Sequence, residues 1–340
     1  MHMQQHRRPR TLVAMGSGAA RRMLTEPVRE RLAELADGDP AVIATELHSA
    51  GARAALADVE VLFTSWGCPP LSEEVLVAAP GLRAVVHAAG SVKPHVTDAC
   101  WARGIRVSSA AMANAVPVAE YTVAAILSAN KRVFQIAAHY RRHRQQADWE
   151  ARFPGLGNFG KAVGIVGASR IGRRVIELLR PFDLRVVLTD PYLNAHESRG
   201  LGAQLMPLDE LLSTADVVSV HAPALPETHH LIDAPRLALM RDGATLINTA
   251  RASLIDQKAL TAELASGRLY AVLDVTEPET LPADSVLYDL PNVVLTPHIA
   301  GSLGGELARM ANSALDELDR YARGLPFAHP ITREDLARSA

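Results

Sequence analysis

Three stretches of this 340-residue chain carry side chains suited to moving a proton beside an anion. They are "INTARASLID" with Arg251, "LDVTEPETLP" with Glu277 and Glu279, and "LTPHIAGS" with His298. A guanidinium presents a planar fork of donors that matches a carboxylate and that lysine cannot reproduce. An imidazole gives or takes a proton near neutral pH, and a carboxylate on its far side orients the ring. Each residue is commonplace by itself. Their common placement is what counts, because each lies at the end of an apolar run that reads as a strand, where open α/β sheets put their ligand crevice.

A fourth stretch, "VGIVGASRIGRRV" at residues 163 to 175, nearly spells the dinucleotide fingerprint G-x-G-x-x-G, with Gly167, Ser169 and Gly172 in the three slots. The first glycine makes the tight strand-to-helix turn, the second admits backbone close to a pyrophosphate, and the third lets helix meet strand. Serine in the middle slot adds a small side chain whose hydroxyl can donate to a phosphate oxygen at the helix end, so the expectation is a slightly shifted pyrophosphate and a working site. Asp190, 18 residues beyond Gly172 and closing the run "RVVLTD", is placed to accept from ribose hydroxyls and repel a 2′-phosphate, which favours NAD over NADP.

The composition sets the bounds. The chain is 48% hydrophobic and 21% charged, with a formal net charge of -2 and no long run of like charge, so nucleic acid is a poor partner. Two cysteines, Cys68 and Cys100, without C-x-x-C spacing argue against a disulfide framework or structural zinc and suit a reducing, cytoplasmic setting. His229 and His230 are adjacent, so their side chains are expected to diverge, and no other cluster offers a metal site. No run approaches the roughly 18 consecutive apolar residues of a membrane span. The N-terminal "HRRPR" reads as a frayed basic tail before the first strand.

These side chains need a scaffold, and the rhythm of the sequence supplies one. Apolar runs at 11–15, 41–45, 59–65, 82–88 and 105–109 read as strands buried on both faces, with helices at 24–36 and 72–79 between them. A second series follows at 162–167, 185–190, 216–223, 244–250, 271–275 and 292–298. Two long helices, 117–139 beginning on a proline and 302–323, connect the series. The expected fold is α/β with two doubly wound parallel-sheet domains. A Rossmann domain at 116–302 is inserted in a flavodoxin-like domain formed by 1–115 and 303–340.

From about residue 80 onward the chain resembles the NAD-dependent D-isomer-specific 2-hydroxyacid dehydrogenases, and is similar to their glyoxylate, hydroxypyruvate and phosphoglycerate branches. The resemblance is carried by "NAVPVAE" (114–120), the fingerprint, "ADVVSVHAPALPETHHLI" (215–232) and the three stretches quoted first. It implies that Arg251 grips the substrate carboxylate, that His298 exchanges a proton with the adjoining oxygen, and that Glu279 orients the ring. The family pattern D-V-x-x-x-E counted from Asp274 selects Glu279 over Glu277, although Thr280 stands where proline is usual. It further implies backbone contacts to pyrophosphate from Arg170 and Ile171, cofactor-lining positions at His221, Pro223, Thr228, Thr249, Ala250 and Gly301, and a nicotinamide anchor in Asp274. The substrate loop corresponds to "VVHAAGSVKPHV", where Gly90, Ser91 and Val92 offer N–H groups and Lys93 replaces a common aspartate. "TSWGCPPLSEE" (64–74), also at a strand end, puts Trp66 and Gly67 within reach of a substrate.

The expected activity is reduction of a small anionic 2-oxo acid to its D-2-hydroxy acid with NADH, or the reverse, in a homodimer with no metal and no nucleic-acid or membrane partner. Two rivals share the scaffold: oxidation of a small anion such as formate or phosphite, and a corepressor-like protein that senses NAD without turnover.

Overall fold

The computed structural model describes residues 7–337. The chain divides into two compact units, one built from residues up to 114 together with those from 302 on, the other from 115–301.

In the first unit, β1 (Thr11–Ala14), β2 (Ile43–Ala44), β3 (Val61–Thr64), β4 (Ala84–His87) and β5 (Arg106–Ser109) form a parallel sheet in the order β5-β4-β3-β1-β2. That is the doubly wound 2-1-3-4-5 arrangement. A short strand from the end of the chain, Pro330–Ile331, adds antiparallel to β5. β3 and β4 are buried along their whole length, as befits strands covered on both faces. The segment read as a frayed tail is anchored where it is described. Arg7 pairs with Glu60 at 2.5 Å and Arg8 donates to the carbonyls of Ala33 and Ala36.

In the second unit, β6 (Ala162–Val166), β7 (Arg185–Thr189), β8 (Gln204–Leu205), β9 (Val217–Val220), β10 (Thr245–Asn248), β11 (Tyr270–Leu273) and β12 (Val293–Leu295) are all parallel. Their spatial order, β8-β7-β6-β9-β10-β11-β12, is the 3-2-1-4-5-6 sheet of dinucleotide-binding domains extended by one strand. The switch point lies between β6 and β9, so the crevice above it faces the fingerprint turn that follows β6. Gly164 inside β6 is a packing requirement: a Cβ there would come within 2.5 Å of the Leu211 side chain.

Two expectations for the connecting helices are corrected. The helix expected over 117–139 is two helices, Ala111–Asn130 and Val133–His143, separated where Arg132 takes a left-handed backbone at φ 50. Pro117 therefore sits inside the first helix, in its second turn, and not at its start. The alanine-rich segment before it simply continues the helix. By length and apolar composition alone this helix is also able to cross a membrane, which the reading of apolar runs passed over. Here its Ala119, Ala125, Ile126 and Ala129 are buried in a core shared with β6 and the fingerprint helix.

Candidate active site

The fingerprint turn is built on backbone proximity. Gly167 has φ +98, and a Cβ on it would lie 2.7 Å from the Ala222 nitrogen. A Cβ on Gly172 would lie 2.1 Å from the Gly167 carbonyl oxygen, so no larger residue fits without moving the turn. Ser169 does something the sequence reading did not foresee. It is the N-cap of the helix Arg170–Leu179, and its hydroxyl accepts from the Gly172 N–H at 3.3 Å. Arg170 and Ile171 open that helix, at the end where backbone N–H groups and the helix dipole favour an anion. Asp190 stands at the end of β7. Its carboxylate accepts from the Ala168 N–H at 2.7 Å and the Tyr192 N–H at 2.8 Å, which fixes its position beside the turn. The cradle that a Cβ would fill, together with a carboxylate held at the neighbouring strand end, fits a dinucleotide.

The other positions expected to line the cofactor lie on the loops after β9, β10, β11 and β12. His221 is buried behind the turn, its Nε2 2.9 Å from the Ser219 hydroxyl, and burial pushes its pKa down to about 3. Its Cβ would lie 3.4 Å from a Cβ placed on Gly172. Thr228 closes a turn, donating to the Pro223 carbonyl at 2.6 Å and accepting from the Leu225 N–H at 2.8 Å. Thr249 and Ala250 are buried. The Thr249 hydroxyl meets that of Thr122 at 3.0 Å, and the Ala250 N–H donates to Asn248 Oδ1 at 3.0 Å. Gly301 is partly buried at the end of the unit.

Arg251, Glu279 and His298 converge in the second unit. Glu279 Oε1 lies 2.5 Å from His298 Nδ1, which leaves Nε2 on the open side of an exposed ring. Burial lowers the Arg251 pKa, and the nearby Glu279 carboxylate opposes that shift, so the guanidinium and the acid feel one another. Arg251 Nη1 donates to its neighbour's carbonyl, Ala250 O, at 2.7 Å, and the Asn248 side chain holds the Arg251 carbonyl at 2.9 Å. Glu277 belongs elsewhere: its backbone is clamped by Gln257, whose Oε1 accepts from its N–H at 2.8 Å and whose Nε2 donates to its carbonyl at 2.6 Å.

His298 has φ 54, a left-handed backbone that a residue with a Cβ seldom adopts. Asp274 supports it. The Asp274 carbonyl accepts from the His298 N–H at 2.9 Å, and its carboxylate accepts from the N–H groups of Ile299 at 2.8 Å and Ala300 at 2.9 Å. Thr296 adds a fourth donor at 2.6 Å, and Tyr121 in turn reaches Thr296 at 2.8 Å. Tyr121 and Thr296 were not singled out by sequence, because their bond joins positions 175 residues apart.

In the first unit, Gly90, Ser91, Val92 and Lys93 form the loop after β4. Gly90 and Ser91 are partly buried, the Val92 side chain is in the core, and Lys93 is exposed. The Lys93 N–H donates to the Ser91 hydroxyl at 3.4 Å. Gly67, at φ +76, backs directly onto Gly16, while Trp66 is 39% exposed. His229 and His230 correct their expectation. Their rings do not diverge but stack with centroids 3.9 Å apart, because His230 turns to a left-handed backbone at φ 49.

A Rossmann sheet, a glycine cradle at its switch point and an arginine–carboxylate–imidazole cluster on its strand ends define a dinucleotide-dependent class of protein. Residues 123–300 match the NAD binding domain model of the D-isomer specific 2-hydroxyacid dehydrogenases, and the chain belongs to that family. It is 40% identical over 233 residues to the D-3-phosphoglycerate dehydrogenase of Mycobacterium tuberculosis, covering 67% of this chain and 43% of that protein. The chain thus spans about half the length of the phosphoglycerate dehydrogenases it matches. It is 34% identical over 258 residues to the glyoxylate reductase of Korarchaeum cryptofilum, covering 75% of this chain and 77% of that one. Among solved structures, a D-lactate dehydrogenase of Treponema pallidum superposes with a TM-score of 0.72 at 27% identity, covering 95% and 99% of the two chains.

Proposed function

We propose that the protein interconverts a small 2-oxo acid and its D-2-hydroxy acid, using NAD(H), with glyoxylate and hydroxypyruvate as the first substrates to test. Bound at the fingerprint, the cofactor supplies or accepts the hydride. His298 gives its Nε2 proton to the substrate oxygen in reduction and takes it back in oxidation, while Glu279 on Nδ1 holds the ring in place. Arg251 binds the substrate carboxylate and the adjoining oxygen through its fork of donors. Asp190, an anion beside the turn, selects NAD by repelling a 2′-phosphate. The residues up to 115 and from 303 on act as the substrate domain, with the N–H groups of Gly90, Ser91 and Val92 facing the substrate carboxylate. Residues 116–302 serve the nucleotide.

The observation that carries this reading is the 2.5 Å contact of Glu279 with His298, in the unit that also holds Arg251 and the fingerprint. The names of the matched relatives, a glyoxylate reductase among them, support the substrate class. Two free, buried cysteines suit a cytoplasmic setting. The helix Val133–His143 supports a homodimer: it has no buried residue of its own, yet exposes Val133, Phe134 and Tyr140. A helix of that length gains little stability without packing, so a second copy of the chain is its natural cover.

The test is loss of NADH absorbance with a panel of 2-oxo acids, with NAD plus formate or phosphite as controls. Turnover of a 2-oxo acid that drops at least about a thousandfold in His298→Ala is the expected result. NADH binding without turnover on any substrate, or turnover only with formate or phosphite, would overturn it.

A further inference from the structure

We infer that Tyr121 and Thr296 are positioning residues that hold His298 in register by way of Asp274, an inference that rests on the proton-transfer role proposed for His298. The hydrogen-bond order follows from donor chemistry. A carboxylate only accepts, so the single hydroxyl hydrogen of Thr296 is committed to Asp274 Oδ1, 2.6 Å away. The Thr296 oxygen then accepts from the Tyr121 phenol at 2.8 Å. The chain of donors runs one way, from Tyr121 through Thr296 to Asp274.

Asp274 spends that polarised acceptor on the segment carrying the ring. Its two oxygens take the N–H groups of Ile299 and Ala300, its carbonyl takes that of His298, and the residue is 1% exposed. A left-handed backbone on a histidine persists only where its surroundings over-determine it, and these three bonds, with that from the Thr296 hydroxyl, do so. Charged groups at the segment include Glu279 on the loop after β11, which contacts His298, and Asp274 itself, with Arg251 on the loop after β10 interacting with Glu279. Burial raises the Tyr121 pKa and the Asp274 charge adds to the rise, so the phenol keeps the proton it donates. Removing either hydroxyl leaves the fold's apolar core intact but loosens the angle at which the imidazole is presented.

The experiment compares kcat and KM of the full-length protein with Thr296→Val, Thr296→Ser and Tyr121→Phe, and measures the Kd for NADH by fluorescence. Thr296→Val is expected to lower kcat about tenfold, with KM and the NADH Kd within about twofold, and Thr296→Ser to recover most of the loss. Tyr121→Phe should lower kcat a few-fold in the parent and have no further effect in the Thr296→Val background. Unchanged kcat in Thr296→Val, a loss that serine does not rescue, or independent effects of the two changes would overturn the inference. Should the valine variant fail to fold, wild-type kcat in Tyr121→Phe does the same. His298→Ala, run in parallel, separates the two levels. Surviving activity there removes the proton-transfer role and this inference with it, whereas lost activity beside a wild-type Thr296→Val removes the positioning role alone.

Discussion

His221 and His95 are neutral, buried rings whose pKa values burial lowers to about 3 and about 4. In the unfolded chain each takes up a proton near the ordinary histidine value of about 6.5. Between those values and 6.5 the unfolded state binds more protons than the folded one, so stability falls as pH drops through this window and gains nothing further above it. Each ring contributes a slope of up to about 1.4 kcal/mol per pH unit. The thermal midpoint should therefore decline from pH 7 to pH 5, and His95→Gln should flatten the decline whatever it does to the midpoint at pH 7. A midpoint constant over that range would contradict the assignment of these rings as neutral. At this scale the sequence made positions readable where chemistry and strand ends coincide, as at Arg251, Glu279 and His298. It could not show Tyr121 or Thr296, which matter only through a bond closed by the fold. Nor did it show that Ser169 caps its own helix, although a serine just before a helical run carries that signal.

Strands were the most legible elements, because a strand buried on both faces writes itself as an unbroken apolar run. β8 (Gln204–Leu205) and the returning strand Pro330–Ile331 are two residues each and, unlike the equally short β2, lie in no apolar run that could mark them. Helix limits were less legible: the break at Arg132 depends on one residue's left-handed backbone, which no periodicity announces. The strand-turn-helix element at the fingerprint yields a prediction of its own. Ser169→Ala removes the cap on Gly172 and should cost about 1 kcal/mol in urea unfolding, while Ser169→Gly costs only a few tenths. Gly172→Ala should differ in kind. A methyl 2.1 Å from the Gly167 carbonyl forces the turn apart, so NADH binding by fluorescence should disappear. An alanine variant that binds NADH normally would show that the turn tolerates what its geometry forbids.

For the whole molecule, the doubly wound class was legible from the alternation of strand and helix, and both sheet orders follow the open α/β pattern. Quaternary structure is another matter, since a monomer's sequence pattern does not say which exposed apolar groups are covered. Light scattering on the purified protein should give twice the chain mass, and Phe134→Ser with Tyr140→Ser should return it to a single chain. A parent protein that runs as a monomer would remove the homodimer.

The glycine cradle, Asp190, Arg251, Glu279 and His298 all fall within the single continuous stretch 115–301, whereas the loop Gly90–Lys93 belongs to the flanking sequence. On the proposed function, reactivity and selectivity would be inherited on separate stretches of gene. Mutation or recombination in the flanks would then retune which acid is accepted while the proposed hydride and proton chemistry passed unaltered to the descendant.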